Sequence, residues 1–120
     1  NMDYEYCFKK GIHVIATSPV FSKPVAEIAL GMTLSLLRNI HIAHSDFVNG
    51  KEKYGLESNL KASLLSEKKI GLLGFGDLAK SLYPLLLPFT KNINVYDPWV
   101  PKTKIKKLGF KSISLKAQRN

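Results

Sequence analysis

The stretch Lys68-Lys69-Ile70-Gly71-Leu72-Leu73-Gly74-Phe75-Gly76-Asp77-Leu78-Ala79 joins an apolar run to a glycine-rich turn and then to a helical pattern. The turn has the form Gly-x-Gly-x-x-Ala. Gly74 permits a tight strand-to-helix turn, Gly76 lets the backbone approach a pyrophosphate, and Ala79 keeps the new helix close to the sheet. The pattern therefore predicts a dinucleotide-binding turn.

A helix that begins directly after this turn offers an anion its free N–H groups and the positive end of its dipole. We expect a pyrophosphate to lie over the N–H groups of Asp77 and Leu78. The alternative is that the glycines form a plain connection. If the turn binds a cofactor, its candidate residues are Gly74, Phe75, Gly76, Asp77, Leu78 and Ala79.

A second short apolar strand, residues 92–97, ends in an acid. Asp97 lies 18 residues beyond Ala79 and 23 beyond Gly74. An acid about 20 residues after such a turn accepts hydrogen bonds from the adenosine ribose. Because a carboxylate there would repel a 2′-phosphate, Asp97 favours NAD over NADP. The alternative is a simple turn aspartate before Pro98, and both residues are included in the predicted cofactor site.

Three blocks of the sequence resemble one family. They are Gly11-Ile12-His13-Val14-Ile15-Ala16, then Val25-Ala26-Glu27-Ile28-Ala29-Leu30 continuing to Leu37-Arg38-Asn39-Ile40, and finally residues 70–79 followed by Val95-Tyr96-Asp97-Pro98. In order and spacing, from about residue 1 to residue 115, they are similar to the NAD-binding region of the D-isomer-specific 2-hydroxyacid dehydrogenases. That family includes phosphoglycerate, glycerate, formate and D-lactate dehydrogenases.

The resemblance implies an α/β fold, the N-terminal half of a doubly wound (Rossmann) parallel sheet. Strands around residues 70, 95 and 112 would lie in the spatial order 3-2-1. A long crossover helix would precede them and take part in a homodimer interface. Residues 1–20 would be a remnant of the substrate domain, with a strand at 12–16, and residues 21–120 would be a partial NAD-binding domain.

The resemblance also implies a reaction, hydride transfer between NAD(H) and a small 2-hydroxy or 2-keto acid. In the family the catalytic arginine, glutamate and histidine lie downstream of the point where this sequence stops. We therefore assign no catalytic residue and expect the 120-residue chain alone to be inactive. His13, His41 and His44 are expected to be structural or exposed.

Composition leaves one alternative open. The net charge of +9 would suit a non-catalytic basic α/β module that binds a nucleotide or nucleic acid in a regulatory role. The basic residues are spread over the chain, however, and the densest cluster, at Lys102, Lys104, Lys106 and Lys107, carries no interleaved aromatic platform. We therefore expect no nucleic-acid partner.

The remaining composition predicts a cytoplasmic protein. No uninterrupted apolar run reaches the roughly 18 residues that span a bilayer, so no membrane partner is expected. Cys7 is the single cysteine, so it lacks a second thiol with which to bind a metal.

Periodicity predicts the other elements. Apolar residues at helical spacing indicate one continuous helix over residues 25–48, capped by Ser22 with Pro24 in its first turn. The helix from Asp77 should kink or end near Pro84. Beyond it we expect a short helix over 102–108 and a strand over 110–114.

Overall fold

The computed structural model describes residues 2–114, and its sheet has three parallel strands. They are β1 (Ile70–Leu73), β2 (Ile93–Tyr96) and β3 (Lys111–Ser112), in the order β1-β2-β3. The predicted α/β class and 3-2-1 order are confirmed. The end of the predicted domain 21–120, from residue 115 onward, lies outside the described residues.

Five α-helices accompany the sheet in the described part of the chain. They are α1 (Tyr4–Lys9), α2 (Ser18–Leu37), α3 (Ile40–Val48), α4 (Asp77–Leu86) and α5 (Lys102–Lys107). Two short 3-10 turns, Glu57–Asn59 and Leu65–Glu67, lie in the segment between α3 and β1. Each parallel pair of strands is thus joined through a helix, as parallel pairing requires.

The core lies where α4, α5 and the sheet meet. Phe110, just before β3, packs edge-on against Phe75 at 5.0 Å and Tyr83 at 4.2 Å between ring centroids. The buried apolar cluster consists of Leu65, Phe75, Leu86, Ile93, Val95, Ile105 and Phe110. Since Phe75 lies in the glycine turn, the turn is fixed to the core by its own side chain.

Helix α2 packs along α4, where Ser22 and Ala26 are buried, and its residues Leu30, Leu34 and Leu37 pack half-buried against the core. Large apolar side chains such as Phe21, Ile28 and Met32 remain exposed. By length and composition, α2 is the one helix in residues 2–114 that could cross a membrane. The sequence criterion missed it because Lys23 and Glu27 interrupt its apolar run, although the helix as a whole is strongly apolar.

The N-terminal predictions were partly wrong. Residues 12–16, predicted as a strand, have no regular structure, because the described sheet places no strand beside them to complete a hydrogen-bond ladder. Helix α1 was not predicted. Its start is capped by Asp3, whose carboxylate accepts the N–H of Tyr6 at 2.9 Å.

The predicted helix 25–48 begins earlier and is interrupted. It starts at Ser18, so Ser22 and Pro24 lie inside α2 rather than at its start. The break between α2 and α3 falls at Asn39, whose φ of 55° is the left-handed conformation that asparagine tolerates better than most residues. At the break, the carbonyl of Leu37 accepts the N–H of Ser63 at 2.8 Å.

The later predictions agree with the structure within two or three residues. Helix α4 contains Pro84 and ends two residues beyond it, at Leu86. Helix α5 covers Lys102–Lys107, and Gly109 follows with a φ of 85°. The third strand is shorter than predicted, although the N–H of Ile113 still bonds the carbonyl of Val95 at 3.1 Å.

Candidate cofactor-binding site

The register of the sheet brings the glycine turn and Asp97 to the same edge. Leu73, the last residue of β1, pairs with Tyr96, the last residue of β2. Gly74 therefore follows β1 at the same level of the sheet at which Asp97 follows β2. The N–H of Gly74 donates a hydrogen bond to the carbonyl of Tyr96 at 2.7 Å. Gly74 has a φ of 90°, which side-chain-bearing residues rarely adopt.

The Asp97 carboxylate accepts hydrogen bonds from the glycine turn and from the loop that follows β2. Oδ2 accepts the N–H of Phe75 at 2.6 Å, and Oδ1 accepts the N–H groups of Trp99 and Val100 at 2.8 Å each. A carboxylate has about four acceptor positions. With Oδ1 doubly occupied, Oδ2 retains one position, which suits a single ribose hydroxyl.

These hydrogen bonds lower the pKa of Asp97. The largest cause is the N–H of Phe75, followed by that of Val100, with smaller contributions from Trp99 and the positive charge of Lys80; desolvation opposes them. Hydrogen bonds donated to a carboxylate favour its charged form. Asp97 therefore stays ionised to lower pH than an ordinary aspartate.

The lowered pKa of Asp97 predicts that the stability of the folded protein decreases in acid. Because the folded pKa lies below the ordinary 3.8, the folded protein binds fewer protons there, and the stabilisation present above that pH is lost as the pH falls through the folded pKa. We expect the free energy of unfolding to decline below about pH 4, and Asp97→Asn to reduce that decline. Urea unfolding at several pH values tests this; equal pH slopes for both proteins would contradict it.

The surface above Gly76 is open. Gly76 caps α4 with a φ of −77°, and beyond its chain neighbours no heavy atom lies within 4 Å of the place where a Cβ would stand. The first N–H groups of a helix have no partner inside the helix. Asp77 and Leu78 supply two of them, so backbone donors, an open surface and an acceptor on Asp97 lie at one edge, and these residues fit a dinucleotide.

The other predicted site residues have different surroundings. The side chain of Phe75 is 2% exposed and its N–H is already bonded to Asp97, so Phe75 fixes the turn instead of offering a free donor. Ala79 packs against the core. Leu78 and Pro98 are exposed.

Two features of the site were not predicted. Trp99 directly follows Asp97-Pro98 and is 88% exposed, so a large aromatic surface lies next to the turn. The Ser18 hydroxyl donates to Oδ2 of Asp77 at 2.9 Å. The sequence could have indicated an exposed Trp99, because it is an aromatic residue in a turn. The hydrogen bond between Ser18 and Asp77 joins residues 59 positions apart, so no local sequence pattern indicates it.

The histidines and the other potential metal ligands lie apart from this edge or from one another in the described residues. His13, His41 and His44 are all exposed, one of the two environments expected for them. Within residues 2–114, no three potential metal-binding side chains come together.

The β-α-β unit with a glycine turn at its first strand end and an acid at its second defines the first half of a doubly wound dinucleotide-binding domain. Residues 30–118 match the family model described as "D-isomer specific 2-hydroxyacid dehydrogenase, NAD binding domain". The chain belongs to this family of enzymes, and NAD is the cofactor of the domain.

Individual relatives agree. The chain is 33% identical over 105 residues to hydroxypyruvate reductase of Thermotoga maritima, covering 88% of this chain and 33% of the relative. A phosphoglycerate oxidoreductase structure from Rhizobium etli has 45% identity and a TM-score of 0.80, covering 96% of this chain and 38% of that one. D-Lactate dehydrogenase from Aquifex aeolicus, complexed with NAD and lactic acid, has 28% identity and a TM-score of 0.73, with coverages of 97% and 34%.

The chain thus spans about a third of the length of these three relatives. These comparisons support the NAD-binding domain of a dehydrogenase and do not support the alternative of a regulatory nucleic-acid-binding module.

Proposed function

We propose that this chain binds the adenosine and pyrophosphate of NAD in a whole protein that transfers a hydride between NAD(H) and a small 2-hydroxy or 2-keto acid. The observation that carries the proposal is the alignment of Gly74 and Asp97 at one sheet edge, beside the open surface at Gly76. The substrates named for its relatives, hydroxypyruvate and lactic acid, support this class of substrate.

Each site residue has a distinct part in this proposal. The N–H groups of Asp77 and Leu78 bind the pyrophosphate, and Gly76 admits it because it has no side chain. The free acceptor position on Asp97 takes a ribose hydroxyl. Gly74, Phe75 and Ala79 hold the turn, while Pro98 leads into the exposed Trp99 loop. When bound, NAD supplies the hydride chemistry through its nicotinamide ring.

Trp99 provides the experiment that tests this site. Reduced nicotinamide absorbs indole emission, so NADH bound beside Trp99 is expected to quench its fluorescence in the whole protein. The Trp99→Phe variant is expected to lose that contribution. An NADH titration that leaves Trp99 emission unchanged while NADH binds would contradict the placement of the cofactor. Turnover of glyoxylate, hydroxypyruvate and pyruvate with NADH tests the proposed reaction.

Asp97 is expected to set the preference for NAD. The pair Asp97→Ser and Tyr96→Arg removes a repelling charge and supplies a partner for a 2′-phosphate, which we expect to raise the NADP-to-NAD ratio of kcat/KM at least about tenfold. Absolute affinity for both cofactors should fall, because serine loses the carboxylate bond to Phe75. Tyr96→Arg alone is the control, and an unchanged ratio in the double variant would contradict the assignment.

We further propose residues 1–20 as part of a substrate domain and residues 21–120 as the partial NAD-binding domain. The exposed apolar faces of α2 and α3, which include Ile28, Met32 and Phe47, suit a homodimer interface better than a lipid surface, because α2 also carries Lys23 and Glu27. A cytoplasmic protein without a membrane or nucleic-acid partner is consistent with this proposal.

A further inference from the structure

The first residue of the cofactor-binding helix is an acid. Asp77 begins α4, and its N–H is one of the two proposed to face the pyrophosphate. A carboxylate in the first turn stabilises a helix. At this place, however, the same charge repels an anionic ligand and competes with it for the free N–H groups.

The structure turns this carboxylate toward two other partners. Ser18 donates its hydroxyl to Oδ2 at 2.9 Å, and the ammonium of Lys80 lies 3.5 Å from Oδ1. Both oxygens of Asp77 are therefore engaged by groups outside the N–H donors of its own helix start. Ser18 is the first residue of α2, so its bond also ties the start of α2 to the glycine turn.

We propose that Ser18 and Lys80 are positioning residues that hold the Asp77 carboxylate away from the pyrophosphate of NAD. The proposal rests on the proposed function of the turn. Ser18 fixes the direction of the side chain, and Lys80 offsets its charge. Without them the carboxylate is free to rotate toward the N–H groups that the cofactor needs.

The positive charge of Lys80 also affects a second acid. Its charge also acts on Asp97, at the other end of the proposed site. The ammonium of Lys80 thus lies 3.5 Å from the Asp77 carboxylate and has a smaller electrostatic effect on Asp97, so it reduces the negative charge that the cofactor meets. Salt screens such exposed charges, so the effect of Lys80 is expected to be largest at low ionic strength.

A double-mutant cycle tests the proposal in the whole protein, with NADH affinity as the readout. Ser18→Ala is expected to weaken NADH binding about fivefold at low salt, the effect of one hydrogen bond. Asp77→Asn is expected to bind NADH as tightly as the wild type or more tightly. In the Asp77→Asn background, Ser18→Ala should change affinity less than about twofold, because the repelling charge is gone.

Two controls separate the possible outcomes. Asp46→Asn removes the same charge from α3, away from the turn, and should not reproduce the effect of Asp77→Asn. Lys80→Met should weaken binding at low salt, and Asp77→Asn should suppress that loss too. An unchanged affinity in Ser18→Ala, or an equal loss in both backgrounds, would overturn the proposal. Failure of the wild type to bind NADH would instead contradict the proposed function on which it rests.

Discussion

Gly76→Val is expected to lower NADH affinity about 100-fold while changing the free energy of unfolding by no more than about 1 kcal/mol. The two effects separate because Gly76 has a φ of −77°, which valine adopts readily, and no protein atom beyond its chain neighbours lies within 4 Å of the added Cβ. The Cβ of the new side chain therefore has room in the fold, and the main cost to stability is the less favourable helix cap. The branched side chain fills the space through which the pyrophosphate is proposed to approach.

Isothermal titration with NADH and urea unfolding measure the two effects on the same samples. Gly31→Val is the matched control, because Gly31 on α2 also has open space around its Cβ position and lies outside the turn. Equal NADH affinities for Gly76→Val and the wild type would contradict the assignment of this surface to the cofactor.

Phe75→Ala, one residue away, is expected to act mainly on stability, unlike Gly76→Val, and to cost about 3–5 kcal/mol. The Phe75 side chain is 2% exposed and packs edge-on against Phe110 at 5.0 Å. Its removal leaves a cavity beneath the turn. Cofactor affinity should also fall, because the turn loses its attachment to the core.

Urea unfolding measures the loss, and Leu78→Ala provides the comparison in the same turn. Leu78 is 46% exposed, so its truncation should cost less than about 1 kcal/mol. A Phe75→Ala protein as stable as Leu78→Ala would show that the turn is not supported by the core in the way the structure indicates.

The part of the fold that the sequence predicted well depends on short-range signals. The run from Ile70 into Gly74 and Gly76, the second strand ending at Asp97 and the glycine after α5 each combine an apolar pattern with a turn residue nearby in sequence. The parallel direction and the spatial order of the three strands were predicted from the resemblance to a family. These elements were predicted within a few residues of their observed bounds.

The errors occurred where distant contacts or single backbone conformations decide the structure. A run of β-branched residues at 12–16 favours a strand, yet a strand requires a partner. The break at Asn39 depends on one left-handed residue within an otherwise continuous helical pattern. A helix pattern alone gives no sign of such a break.

The candidate site was also predicted only in part. The spacing of Gly74, Gly76 and Asp97 was sufficient to predict that these residues belong to it. The spacing could not predict that the Asp97 carboxylate accepts hydrogen bonds from the N–H groups of Phe75, Trp99 and Val100. Nor could it give the direction of the Asp77 side chain, which depends on Ser18, 59 residues earlier.

A crystal structure of the whole protein with NAD tests the central claim most directly. We predict the pyrophosphate over the N–H groups of Asp77 and Leu78, beside Gly76, with an adenosine ribose hydroxyl on Oδ2 of Asp97. NAD bound with its pyrophosphate away from this turn, or with its adenosine ribose out of reach of Asp97, would contradict the account.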